Sequence, residues 1–134
     1  MASAQEQHVL DLMDCWRTHD LDGLMSRIAE DAVYTPDLLS KPLRGREAIR
    51  KEWAGYMERM PYYELEVRNI MSSDRLVFLE RVERFRFPED KPMVLNIVSL
   101  VGVYEFNSEG LISAWRDYYD TSVHKAPKAP DTKG

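Results

Sequence analysis

The hydrophobic period of this chain changes once, at Pro61, and that change limits the folds open to it. Upstream, apolar residues recur every three or four positions, as on one face of an α-helix; downstream they recur every second position, as on one face of a strand. Val9, Leu12, Met13 and Trp16 form a first helical stripe over residues 4–18. Asp20 is placed to cap a second helix carrying Leu21, Leu24, Met25 and Ile28. Residues 30–37 then read as a helix end and a short extended piece closed by Pro36, with a loop through Lys41-Pro42-Leu43-Arg44-Gly45 after it. A third helix over 46–60 puts Ile49, Trp53, Tyr56, Met57 and Met60 on one side and stops before Pro61.

Past that proline the strands begin. Residues 62–71 place Tyr63, Leu65, Val67, Asn69 and Met71 on one face, and Ser72-Ser73-Asp74 turns the chain. The next strand, 77–87, groups Val77, Leu79, Arg81, Glu83, Phe85 and Phe87. Residues 88–92 connect it to a long strand, 93–106, that is apolar on both faces, and Asn107-Ser108-Glu109-Gly110 leads into a last strand over 111–120. Three N-terminal helices followed by an antiparallel meander predict an α+β domain over residues 1–122, with the helices packed on one face of a curved, mainly antiparallel sheet. Residues 123–134, ending KAPKAPDTKG, are poor in apolar side chains and are expected to be a disordered tail. The second apolar face of the long strand calls for a cover, and a homodimer formed through the sheet is the expectation.

Composition narrows the partners. A formal net charge of −5 across 134 residues, with no long basic run, argues against nucleic acid and against an anionic membrane surface. Cys15 is the single cysteine, which precludes an intrachain disulfide, and its helical position suits a buried thiol. His8, His19 and His124 have no second ligand at metal spacing, so no metal is expected. The first residues lack a continuous apolar stretch, and the expected location is cytoplasmic.

The chemistry lies in charges on an apolar face. Arg81 and Glu83 share theirs with Val77, Leu79, Phe85 and Phe87. Burying either charge alone costs several kcal/mol, so each needs a partner. A plain buried ion pair would satisfy both. The last strand supplies a third member: within Ala114-Trp115-Arg116-Asp117-Tyr118-Tyr119-Asp120, alternation puts Asp117 between Trp115 and Tyr119, and Arg116 and Asp120 on the other side. An arginine between two carboxyls can keep one ionised as a base while the other retains a proton to donate. General acid–base catalysis requires that division.

Several phrases match a known family. Ala29-Glu30-Asp31-Ala32-Val33-Tyr34 and the helix-opening Leu43-Arg44-Gly45-Arg46-Glu47-Ala48-Ile49-Arg50 are similar to the SnoaL-like, or nuclear transport factor two-like, superfamily. Glu80-Arg81-Val82-Glu83 and Trp115-Arg116-Asp117-Tyr118-Tyr119-Asp120 resemble the limonene-1,2-epoxide hydrolase family within it, and the likeness runs from about Val9 to about Asp120. The resemblance implies a cone-shaped sheet with the three helices on its concave face, and a cofactor-free epoxide hydrolase that opens its substrate in one step to a vicinal diol. It makes Asp117 the base acting on water, Arg81 the bridge, Glu83 the acid and Tyr34 the water-positioning phenol. Glu83 stands where the family has Asp, and Pro36 where it has Asn, with Asp37 or Asn69 as possible substitutes for that amide.

Aromatic and aliphatic residues near these positions form a candidate wall for a small apolar terpenoid, steroid or polyketide-like substrate: Trp16, Tyr56 and Met60 from helices, and Leu65, Asn69, Phe85, Val98, Leu100, Trp115 and Tyr119 from strands or their ends. Two other readings stand beside the hydrolase. One is an isomerase, cyclase or dehydratase like ketosteroid isomerase or the SnoaL cyclases, moving a proton next to a carbonyl. The other is a non-catalytic ligand-binding or dimerisation module, since fold alone does not fix function.

Overall fold

The computed structural model describes residues 2–124. Helix α1 (Ala4–Arg17) begins at a reciprocal cap, in which the Ser3 hydroxyl accepts from the Glu6 amide while the Glu6 carboxylate accepts from the Ser3 amide. Asp20 caps α2 (Leu21–Met25) through the Gly23 amide. Then follow β1 (Ile28–Thr35), β2 (Leu43–Arg44), α3 (Arg46–Arg59), β3 (Tyr62–Ser73), β4 (Leu76–Arg86), β5 (Asn96–Phe106) and β6 (Ile112–Tyr118), with a 3-10 turn at Thr121–His124.

The six strands form one sheet in the order β2-β1-β6-β5-β4-β3. Strands β3 to β6 are the expected antiparallel meander, and β1 joins it parallel to β6, carrying β2 at the edge. That pairing explains two departures. Ile28 opens β1 opposite Ile112 instead of closing the second helix, and Leu43-Arg44, expected in a loop, pairs with Val33 and Tyr34. The long strand starts at Asn96 rather than at Met93, so the connection from β4 is longer than expected. The expected tail lies outside the described residues except for its first two positions, which belong to the 3-10 turn.

Strand β3 holds the largest correction. Its register slips between Val67 and Asn69, leaving Arg68 without an opposite residue. One extra residue moves every later side chain to the other face. Ile70 therefore turns towards the core, while Asn69 and Met71, expected inside, are exposed.

The helices pack against one face of the sheet, and α1 sets the limit of the dry core. At its start, Glu6 accepts from the Ser72 hydroxyl at the far end of β3; at its end, Arg17 Nε donates to the Leu65 carbonyl at 2.9 Å. Between these anchors Val9, Leu12 and Met13 are fully buried together with Val77, Leu79 and Ile112, and Phe106 is buried beside them. Beyond Arg17 the helix stops, and β3 and β4 continue without its cover.

Candidate active site

Where that cover ends, the inward faces of β4, β5 and β6 present the charged group. Arg81 and Glu83 sit two residues apart on β4 and so share a face. Gly102 on β5 lies level with Asp117 on β6, which leaves the path from Arg81 to Asp117 open. Arg81, 3% exposed, donates from Nε to Glu83 Oε2 at 2.8 Å, and from its two Nη atoms to Asp117 Oδ1 and Oδ2 at 3.2 and 2.9 Å. Trp115 Nε1 adds a 2.7 Å bond to Asp117 Oδ1, and its ring lies 5.7 Å from the Arg81 guanidinium carbon. The three ionisable groups thus neutralise much of one another's burial cost through charge-assisted hydrogen bonds.

Their environments differ. Burial pushes the Asp117 carboxyl above its ordinary value, and the charge and hydrogen bonds of Arg81 pull against that shift. Burial also works against the Arg81 charge, yet Asp117, then Tyr104 and Glu83, hold its pKa well above the ordinary value. Glu83 is the more open carboxyl, with its side chain 19% exposed against 7% for Asp117. Phenols surround the pair. Burial, followed by the Asp117 charge, raises Tyr34 well above its ordinary value, and burial with the Glu83 charge does the same for Tyr63. These phenols remain O–H donors at any physiological pH.

The group forms the polar end of a cavity of about 220 Å³. All four residues assigned to catalysis by the sequence reading line it: Asp117, Arg81, Glu83 and Tyr34. Tyr34 is held by edge contacts with Trp53 and Trp115, at 5.4 and 5.2 Å between ring centroids. Of the expected wall, Trp16, Tyr56 and Met60 are present from the helical side, and Phe85, Val98, Leu100, Trp115 and Tyr119 from the sheet. Tyr119 is pushed up to about 12, by burial first and then by Asp37.

Two expected wall residues do not belong there. Leu65 is buried in the core below α1, and the bulge turns Asn69 out to donate to Glu80 at 2.7 Å. Asn69 therefore cannot stand in for the missing amide. Pro36 does lie on the cavity wall, with Asp37 beside it. The Asp37 carboxylate is occupied locally, accepting from the Leu39 and Ser40 amides and the Ser40 hydroxyl. Tyr63 and Phe87 line the cavity without having been singled out, although each falls on the inward row of its strand. Tyr104 was also overlooked: fully buried on β5, its hydroxyl accepts from Arg81 Nη1 at 3.2 Å. Among the described residues, no cluster of His, Cys, Asp and Glu is arranged to hold a metal ion, and no helix is long and apolar enough to cross a membrane.

Three helices against a six-stranded, mostly antiparallel open sheet, with a pocket at its uncovered end, define the nuclear transport factor two-like α+β cone. The SnoaL-like domain model matches residues 9–115, and the chain belongs to that family. Solved structures share the fold. An LEH-like epoxide hydrolase from M. tuberculosis superposes with a TM-score of 0.75 at 20% identity, covering 87% of this chain and 83% of that one. A putative SnoaL-like polyketide cyclase from Shewanella denitrificans gives 0.82 at 14% identity over 92% and 96% of the two chains. The epoxide hydrolase/cyclase-like enzyme SalBIII, associated with pyran ring formation in the polyether salinomycin, gives 0.80 at 15% identity over 88% and 92%. At these identities the likeness is one of fold.

Proposed function

We propose that this chain is a cofactor-free epoxide hydrolase that adds water in one step to a small apolar epoxide. The observation that carries the reading is the Arg81 guanidinium bound to both Asp117 and Glu83 at the end of an aromatic cavity. Asp117 takes a proton from water, the oxygen attacks an epoxide carbon, and Glu83 delivers a proton to the departing epoxide oxygen. One proton then returns from Asp117 to Glu83, and the pair is reset. An Asp117 pKa raised by burial makes it a stronger base wherever it is ionised. The cavity, about 220 Å³, is smaller than the roughly 300–1,000 Å³ usual for ligand pockets, which favours a compact substrate.

Asp117→Asn tests the base. It is expected to lower diol formation across an epoxide panel by roughly 10²–10⁴-fold, with the protein still folded by circular dichroism. In the wild type, labelled oxygen from water should appear in the diol, and the acidic limb of kcat/KM should lie above the ordinary aspartate range. Undiminished turnover by the folded variant would remove Asp117 from the reaction.

Pro36 favours a second reading. A proline on the cavity wall offers no side-chain hydrogen bond to a water, so the same base and acid can instead serve proton transfer within the substrate, as in a cyclase or isomerase. Product formation without incorporation of labelled water, or exchange of substrate hydrogen with deuterated solvent, would select it.

The outer face of the sheet completes the proposal with a homodimer. Ile97 and Val101 on β5, Tyr118 on β6 and Met71 on β3 are exposed there, and half-buried ion pairs of both signs, such as Arg116 with Glu105 and Arg84 with Glu66, stand among them. An apolar strip bearing both charges is self-complementary, as an isologous contact requires. Sedimentation should give twice the chain mass, falling to one in Ile97→Lys; a monomeric wild type would exclude the dimer.

A further inference from the structure

Arg81 is held on a third edge that the proposed reaction does not use. Its outer edge faces Asp117 and its Nε edge faces Glu83; the remaining Nη1 hydrogen goes to Tyr104 Oη at 3.2 Å. Tyr104 comes from β5, the strand between the other two, and its ring packs on Trp115 at 5.0 Å. The glycine at position 102 makes room for this bond. A Cβ there would stand 2.6 Å from Tyr104 Oη and 2.9 Å from Arg81 Nη1, closer than atoms of this kind approach. Gly102 has an ordinary strand neighbour on each side, Leu79 and Asp117, so it is space that the position demands.

The clamp on Asp117 is uneven. Nη2 reaches Oδ2 at 2.9 Å, whereas Nη1, the nitrogen engaged by Tyr104, stands at 3.2 Å from Oδ1. We infer that Tyr104, seated over Gly102, is a positioning residue that draws one arm of Arg81 away from Asp117 and so keeps the carboxylate a stronger base than a symmetric clamp would leave it. An acceptor on one N–H competes with a carboxylate for the same nitrogen, and weaker hydrogen bonding to a carboxylate raises its proton affinity. The inference rests on Asp117 being the base of the proposed reaction, but its geometry stands apart from the identity of the nucleophile.

The groups facing Asp117 come from every surrounding element: Arg81 and Glu83 from β4, Tyr104 from β5, Tyr34 from β1, Tyr56 from α3 and Tyr63 from β3, with Tyr119 beyond the end of β6. All the phenols have raised pKa values, Tyr104 included. Arg81, its pKa likewise raised, and the phenols therefore keep their charge states while Asp117 titrates.

The test is the titration of Asp117 in the substrate-free, full-length protein, followed by carbon NMR of labelled aspartate carboxyls. In Tyr104→Phe the freed Nη1 closes on Oδ1, and the Asp117 midpoint is expected to fall by about one pH unit, a tenfold loss of proton affinity. Gly102→Ala keeps both partners but forces them apart, and it should move the midpoint in the same direction. The double variant should shift no further than Tyr104→Phe alone, because both changes act through one bond. An unchanged or raised midpoint in folded Tyr104→Phe overturns the proposal; if that variant does not fold, the same result in Gly102→Ala does so. Turnover separates this from the hydrolase reading: a lowered midpoint with no activity on any epoxide leaves Tyr104 in its role and tells against the hydrolase.

Discussion

Strand β4 runs through two environments with one alternation. At its start the inward residues Val77 and Leu79 are fully buried, sealed by Val9, Leu12 and Met13 of α1. Further along the same row come Arg81, 3% exposed, then Glu83, Phe85 and Phe87, which are only partly covered and line the cavity. The side chains point the same way throughout, so the strand itself does not distinguish core from pocket. Helix α1 does, because its last turn is fixed at the level of Leu65 by Arg17, and Trp16, one residue before its end, lines the cavity. Charges stand at the border, where a buried guanidinium can be paired on one side and still reach a substrate on the other.

The two halves of the strand differ most at Arg81 and Leu79. Arg81→Met removes the common partner of two carboxyls, and it is expected to cost about 3–5 kcal/mol at pH 7, read by chemical denaturation, along with all turnover. That loss should shrink in acid. The folded-state pKa of Asp117 already lies above its unfolded value and rises further without Arg81; a group shifted that way opposes folding fully above its folded pKa, and the cost declines as the pH falls from there to the unfolded value, so acid restores stability. A loss independent of pH would mean that Arg81 acts by packing. Leu79→Ala opens a cavity in the sealed half and should cost about 2–5 kcal/mol at every pH.

What the sequence reveals divides along the same line. Alternation places Arg81, Glu83, Phe85, Trp115 and Asp117 on the inward face, and the helical stripes place Trp16 and Tyr56 opposite them, because each of these positions depends only on a local period. Asn69 escapes that logic. An extra residue near Arg68 inverts the rest of β3, and nothing in Glu66-Val67-Arg68-Asn69 marks a bulge, since its cause is the pairing with β4. Leu65 follows the correct alternation yet lies below the helix end, so its exclusion from the cavity depends on where α1 stops. Tyr104 carries a faint signal: a phenol two residues from a glycine, on an inward row whose other side chains from Val98 to Phe106 are apolar. The parallel joining of β1 to β6, which brings Tyr34 to the site, is a long-range pairing that no local pattern encodes.

The smallest expected effect gives the sharpest contrast between the two halves. Phe85 occupies the same inward row as Leu79, six residues on, and a residue of its size in a sealed core would cost about 3–5 kcal/mol on truncation to alanine. Here its ring rests on Phe87 at 5.4 Å and borders the cavity, where solvent or substrate can fill the space it leaves. Phe85→Ala should therefore lower stability by about 1 kcal/mol or less, while KM for an apolar epoxide rises roughly tenfold with kcat little changed, since the lost contact holds the substrate alike before and at the transition state. A stability loss equal to that of Leu79→Ala would place Phe85 in a continuous core and close the open half of the comparison. A fall in kcat without a rise in KM would instead make Phe85 a support for the charged group, because only an interaction specific to the transition state behaves in that way.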